Sequence, residues 1–349
     1  MEKQEILSLL PEVLLPWYAQ NKRNLPWRQD HDPYHIWVSE IMLQQTRVEA
    51  VKGYYTRFLN TLPTVAELAA VDDEQLQKLW EGLGYYSRMR NLKKAAGVIV
   101  DSYGGKFPTD YESVLGLPGI GEYTAGAICS IAYDQPVPAV DGNVLRVASR
   151  LLNDSTPIER PSFKKMVRAE LSGVYPDRAG DFTQSLIELG ATVCGPNREP
   201  DCENCPCHGF CRAYREGAAK ELPVRLPKRK RRQEEKTVFI LSCDRCYGIQ
   251  KRTEKGVLSG LWQFPNTEGK LTVEAAMTFL EEKGLEPREI KMTVERKHIF
   301  THIEWDMIGI YVEVNRKIDQ LVWMDAQQIN ETTALPTAFR QFWEGLSYV

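Results

Sequence analysis

LPGIGEYTAGAI, residues 117–128, is the stretch on which the reading of this 349-residue chain turns. Gly119 and Gly121 lie two apart in an apolar frame and tolerate the positive φ that a tight turn demands. A run of small and apolar residues of helical type follows. Backbone N–H groups of such a turn, at the mouth of the next helix, can converge on an anion, and a DNA phosphate is a candidate. Taken alone, the stretch is equally an ordinary connection between two helices with glycine caps. Twenty residues past Gly121 stands Asp141, in VPAVDGNVLRV, residues 137–147. An aspartate before Gly142 and Asn143 is a natural N-cap.

Around this pair of stretches, residues 1 to about 220 carry helical periodicity. TVAELAAVDDEQLQKLWEGL and RNLKKAAGVIVDSYG space apolar residues three and four apart and stop at glycines. The opening MEKQEILSLLPEVLLPWYAQ reads as one amphipathic helix and not a signal peptide. No apolar run approaches the roughly 18 residues of a membrane span. We therefore expect a cytoplasmic protein with no membrane partner, associated with the nucleoid if it binds DNA. The net charge of −3 resolves into −5 over residues 1–222, +4 over 223–235 and −2 over 236–349. A DNA-binding surface, if there is one, must be local. Prolines and the charge run of ELPVRLPKRKRRQEEK mark 223–235 as a basic linker. Beyond it, TVFILSC, YGIQKRT and IGIYVEV are strand-like and TVEAAMTFLEEKG is helix-like. The expected fold is multidomain: an all-α domain over 1–222, the linker over 223–235, and an α+β domain over 236–349.

PYHIWVSEIMLQQTRVEAV supplies Glu40, which shares a helical face with Trp37, Ile41, Gln44 and Val48. A glutamate beside so apolar a stripe is partly desolvated, which raises its pKa toward neutrality and suits a general acid.

Five of the eight cysteines crowd between Cys194 and Cys211. Such crowding points to metal rather than disulfides. Cys194, Cys202, Cys205 and Cys211 follow intervals of seven, two and five residues. Four thiolates at such spacing hold either an iron–sulfur cluster or zinc. Cys207 is a fifth thiol, and His208 is a less suitable ligand. Cys243 and Cys246 form a lone CxxC without a partner pair, and Cys129 sits in the apolar run after the turn.

LPGIGEYTAGAI followed by VPAVDGNVLRV resembles the helix-hairpin-helix DNA glycosylase superfamily over roughly residues 20–215. There the hairpin grips backbone phosphate through the positions of Gly119 and Gly121, and the aspartate lies at the base-excision site. The endonuclease III branch carries a lysine at the position of Tyr123, which forms an imine with the sugar and cuts the strand. Tyrosine cannot do so. Tyr123, SEIMLQQT and VDGN are instead similar to the monofunctional adenine glycosylase branch of the MutY type. The resemblance implies Glu40 as general acid, Asp141 as electrostatic stabiliser or transient nucleophile, and Tyr123 and Asn143 as residues that orient them. It implies an adenine pocket from Trp27, Arg28 and Gln184, with Glu188 left as structural. It implies wedging of Gln45, Leu83 and Tyr85 into the duplex. The basic run that follows, Arg88, Arg90, Lys93 and Lys94, suits either phosphate contacts or a solvated helix face. The superfamily's [4Fe–4S] loop is one residue shorter in its first interval, and its resemblance assigns that cluster to the four cysteines here, bracing a basic loop with Arg198 and Arg212.

GVLSGLWQFPNTE and FLEEKGL resemble the Nudix fold. Glu281, Glu282, Gly284 and Leu285 fit the end of the pyrophosphatase box, but Met277 and Thr278 stand where its arginine and first glutamate belong. In the adenine glycosylases this domain recognises 8-oxoguanine, and Phe300-Thr301-His302 is similar to its lesion-reading tip. The implied partner is a duplex containing an adenine:8-oxoguanine or adenine:guanine mispair, bound by a monomer without a nucleotide cofactor. Three other readings stand against this one: an endonuclease III type acting on oxidised pyrimidines, a catalytically silent DNA-binding metalloprotein, and an active Nudix hydrolase.

Overall fold

The computed structural model describes residues 2–196, 199–227, 230–253 and 256–348. Arg198 of the cysteine loop and Lys228 and Arg229 of the basic run lie outside the described residues. The chain divides into two compact units, Met1–Ala70 with Arg90–Pro227, and Val71–Met89 with Lys228–Val349.

The regular elements of the first unit are all helices among its described residues. The opening stretch forms two helices, Lys3–Ser8 and Leu10–Asn21, instead of one. Pro11, lacking an N–H, suits the first turn of the second helix. Its Leu10 and Leu14 pack with Val144, Val147 and Leu151 of Gly142–Leu152 and with Phe182, Leu186 and Leu189 of Ala179–Thr192. Pro33–Leu43 starts on Asp32, whose side chain accepts from Tyr34 N at 2.8 Å. Ile36, Trp37, Val38, Ile41 and Met42 are all buried, so this is an interior helix and not a half-exposed one. It stops at Leu43. Val48 opens the next helix, Val48–Thr61, and does not extend the face of Glu40 as its spacing implied. Between the two helices Gln45 takes φ of 59°.

The glycine turn joins Tyr111–Leu115 to Glu122–Tyr133. Gly119 has φ of 79°, and a Cβ there would lie 2.5 Å from Asn91 Cβ. Further along, a Cβ on Gly126 would sit 2.4 Å from the Pro138 carbonyl oxygen. The hairpin helix thus lies backbone-to-backbone against the segment leading to Asp141.

Among its described residues the second unit is built on seven strands: β1 Arg232–Cys243, β2 Cys246–Lys251, β3 Trp262–Gln263, β4 Asn266–Glu268, β5 Pro287–Ile299, β6 Ile303–Val314 and β7 Val322–Asp325. Their order is β3-β2-β1-β6-β5, with β4 on β1 and β7 on β2. The β1–β6 pairing is parallel and the others are antiparallel. β1 begins at Arg232, inside the run taken for linker. The continuous apolar centre of β1 is explained by cover on both faces. Phe239 and Leu241 pack under Val273–Glu282, while Val238 and Ile240 pack under Thr337–Trp343. The helix Asp73–Trp80, capped by Asp72, belongs to this unit, and Lys251 Nζ lies 2.8 Å from Glu74 Oε1.

Candidate active site

Glu40 projects from the interior Pro33–Leu43 helix and is 8 % exposed. Its Oε2 accepts from the Tyr123 hydroxyl at 2.6 Å. Burial pushes the Glu40 carboxyl up to about 7; the nearby Asp141 charge adds to this, and Tyr123 and Arg28 oppose it. Tyr123 stands in the first turn of the hairpin helix. Burial, with Glu40 and Asp141 alongside, holds its phenol well above its ordinary value, so it remains a donor.

Asp141 caps Gly142–Leu152. Its Oδ1 accepts from Asn143 N and Val144 N, each at 2.8 Å, and its Oδ2 from Asn143 Nδ2 at 2.6 Å. Burial pushes this carboxyl up, while those hydrogen bonds and Arg146 pull it back toward the ionised form. Asn143 is fixed in turn. Arg146 Nη2 donates to Asn143 Oδ1 at 2.8 Å and to the Gly190 carbonyl at 2.7 Å, and Arg146 Nε donates to the Cys194 carbonyl at 2.7 Å. Arg146 went unnoticed in the sequence, where an arginine in an amphipathic helix is normally a solvated one.

Both carboxylates line one cavity of about 490 Å³, together with Tyr123, Asn143, Trp27, Arg28 and Gln184. That volume is within the range of small-molecule sites. The Trp27 ring is set edge-on against Tyr55 at 5.6 Å. Arg28 is held from behind: Nη2 donates to Glu188 Oε2 at 2.8 Å and Nη1 to the Arg23 carbonyl at 3.2 Å. Glu188 is fully buried and also receives Arg23 Nε at 2.6 Å. Burial favours its neutral form, but the two arginines overcome that and hold it at about 2. Glu188 is therefore the anchor of Arg28, a role that its spacing one turn from Gln184 did not disclose.

Gln45 lies on the rim of the same cavity and is exposed on its positive-φ turn. In the second unit Tyr85 is likewise exposed with φ of 47°. Leu83 is 6 % exposed, and so sits under the turn instead of at its tip. Arg88 is also buried, correcting its reading as a phosphate contact. Its Nη2 donates to the Leu83 and Gly84 carbonyls at 3.2 and 3.1 Å. Burial lowers it to about 10.

Cys194, Cys202, Cys205, Cys207 and Cys211 line one small apolar cavity. Among the described residues no group of three or more His, Cys, Asp or Glu is already drawn to metal-holding geometry. The donor set nonetheless suits a thiolate-held centre. Arg150 Nη1 donates to Cys194 Sγ at 3.1 Å, and Cys211 Sγ donates to the Arg150 carbonyl at 3.5 Å. Cys207 is wholly buried in the hydrophobic core.

Phe300-Thr301-His302 forms the tip between β5 and β6, closed by Phe300 N donating to the Ile303 carbonyl at 2.8 Å. The Phe300 ring is wedged between His298 and Trp305, leaving Thr301 and His302 exposed. Glu281 and Glu282 are exposed at the end of Val273–Glu282, and Leu285 is core. The fragment of the Nudix box serves here to end a helix and start a connection.

Residues 38–175 match the family described as HhH-GPD superfamily base excision DNA repair protein, and residues 237–345 match the NUDIX domain. The solved structure of a thermostable thymine-DNA glycosylase aligns with a TM-score of 0.54 at 27 % identity, covering 61 % of this chain and 97 % of that one. Fold and family match together place the chain among the base-excision DNA glycosylases, enzymes that hydrolyse N-glycosyl bonds. An adenine DNA glycosylase of Rattus norvegicus is 33 % identical over 95 % of this chain and 77 % of its own length. Another, of Arabidopsis thaliana, is 34 % identical over 94 % of this chain, which spans 58 % of that relative. Within its class, then, the chain belongs to the adenine DNA glycosylases.

Proposed function

We propose that this protein removes adenine mispaired with 8-oxoguanine or with guanine, leaving an abasic site and an uncut strand. The observation that carries the proposal is a buried carboxyl at about 7, Glu40, sharing a cavity with the capped carboxylate of Asp141. The adenine leaves the stack and enters that cavity. Glu40 gives its proton to N7. The C1′–N9 bond breaks and its electron pair departs with the base. Positive charge on C1′ and the ring oxygen faces Asp141. Water then adds to C1′, and its proton returns to Glu40. Tyr123 offers no amine, so no imine with the sugar forms and no strand is cut.

Trp27 walls the base, Arg28 donates to its edge, and Gln184 donates to that edge or accepts from it. The turn at Gly119 and Gly121 takes a DNA phosphate, and Gln45 and Tyr85, with Leu83 beneath, enter the duplex. Phe300, Thr301 and His302 read the opposing 8-oxoguanine. Cys194, Cys202, Cys205 and Cys211 would hold a [4Fe–4S] cluster, which when bound would brace the loop. The protein acts as a monomer associated with the nucleoid in the cytoplasm. No described helix is long and apolar enough to cross a membrane.

Single-turnover cleavage of end-labelled duplexes tests this. Strand breakage should need alkali, fall at adenine opposite 8-oxoguanine, and vanish in Glu40→Gln. Alkali-independent breakage at thymine glycol overturns it in favour of the endonuclease III type.

A further inference from the structure

One carboxylate, Glu81, gathers several of the contacts that hold the turn of Leu83 and Tyr85 to residues of the C-terminal domain. Glu81 is the first residue after the Asp73–Trp80 helix, and its side chain is 12 % exposed. Its Oε1 accepts from Leu335 N at 2.8 Å and from Arg340 Nε at 3.1 Å, and Arg340 Nη2 closes on the same oxygen. Its Oε2 lies 2.8 Å from Lys78 Nζ, which also donates to the Thr333 carbonyl at 3.1 Å. Thr333 and Leu335 are fully buried. A carboxylate with two cations and a backbone amide, most of it away from water, is far stiffer than an exposed ion pair.

Immediately beyond Glu81 the backbone is pre-shaped. Gly82, Gly84 and Tyr85 all take positive φ. Trp80 Nε1 donates to the Gly84 carbonyl at 3.1 Å, and Arg88 holds the Leu83 and Gly84 carbonyls. The turn therefore has its conformation before it meets DNA. Independently of Glu81, the exposed Thr301 hydroxyl lies 3.3 Å from the Tyr85 hydroxyl. The Thr301 tip is itself tied down, with Arg232 N donating to the His302 carbonyl at 2.9 Å and Arg231 Nε to the Phe300 carbonyl at 3.2 Å.

We infer that Glu81 is a positioning residue for lesion discrimination: it pins the Tyr85 turn to the C-terminal domain, so that Tyr85 and the Thr301 tip meet the damaged strand as one rigid element. The inference rests on the lesion-reading assignment proposed above. Ordering a loose turn on DNA costs entropy that a pinned turn has already lost. A duplex with 8-oxoguanine uses the turn and the tip together, whereas guanine offers the tip fewer groups to read. Releasing the pin therefore weakens the first complex more than the second.

The test is the single-turnover excision rate as a function of enzyme concentration, for adenine opposite 8-oxoguanine and opposite guanine, with the full-length wild type, Glu81→Gln and Arg340→Gln. The ratio of the apparent second-order constants should fall about fivefold or more in both variants, the scale of one or two freed side chains. The maximal rate and its pH profile should not move. Because each ratio is taken on one preparation, partial misfolding cancels. An unchanged ratio in both variants, beside a wild type that discriminates, overturns the pin alone. A wild type that does not discriminate overturns the lesion-reading assignment and the pin with it.

Discussion

In the proposed mechanism, Glu40 ties catalysis and stability to the same proton. The unfolded chain ionises this carboxyl near 4.5 and the folded chain at about 7. Stability is therefore intact below the unfolded value and is lost as pH rises through the folded one, by about 3 kcal/mol. The proposed mechanism needs the protonated form, so excision by the folded protein should decline as pH rises through about 7. Glu40→Gln should abolish excision, on the order of a hundredfold or more, while raising the melting temperature at pH 8. Loss of both activity and stability there would contradict the assignment of a desolvated acid. Tyr123→Phe separates the two carboxylates. Its hydroxyl favours ionised Glu40, so its removal should move the alkaline limb of the pH–rate profile upward, read from single-turnover rates between pH 5 and 9. Glu188 shows how a role stays hidden at this scale. Its letter and spacing are those of a solvated helix position, and only the fold brings Arg23 and Arg28 to it from the loop after Leu10–Asn21. Glu188→Gln should cost about 3 kcal/mol or more in thermal unfolding, because two arginines lose their buried partner.

The two glycines of the hairpin answer different demands. Gly119 is required by the fold, through its φ of 79° and the Asn91 side chain that crowds its missing Cβ. Gly121 has φ of −105° and open space around the corresponding position. Gly119→Ala should lower stability by about 1–3 kcal/mol in thermal melts. Gly121→Ala should melt close to wild type but bind duplex DNA more weakly, because only an approaching phosphate would meet its methyl group. Equal effects of the two on binding, once stability is matched, would deny the turn its phosphate. Elements of this kind were legible because their chemistry is local: a glycine pair, an N-cap aspartate, an apolar run in β1. β5 was not legible. PREIKMTVERKHI carries charge at six of its thirteen positions, and it is a strand because β6 offers it a long antiparallel edge. The end of the Glu40 helix at Leu43 was also hidden, since nothing in LQQTRV breaks helical periodicity; the break lies in the positive φ of Gln45. The carboxylate pair was legible as two separate motifs, and its meeting in one cavity was not, because that depends on backbone contact between Gly126 and Pro138.

At the scale of the whole molecule, the composition shift near residue 223 marks where the helical texture ends, but it does not mark where the units divide. Val71–Met89 interrupts the helical unit in sequence and packs with residues beyond 228. Its attachments are specific: Glu74 with Lys251, Lys78 with the Thr333 carbonyl, and Glu81 with Arg340 and Leu335 N. None of these partners is near in sequence, so no local pattern could announce them. A consequence follows for truncation. A chain ending at residue 227 would retain every residue of the excision cavity, yet would leave Asp73–Trp80 without its partners and the Glu81 carboxylate facing water. The Glu40–Tyr123 and Asp141–Asn143 contacts do not depend on the lost residues. Such a chain should keep a pH–rate profile for adenine excision like that of the full protein, while limited proteolysis cuts first between residues 71 and 89, detectable by mass of the fragments. The proposed preference for adenine opposite 8-oxoguanine over guanine should be lost. First cleavage elsewhere in the helical unit, with 71–89 protected, would mean that this segment finds its stability within residues 1–227 and that the division of the chain follows the sequence after all.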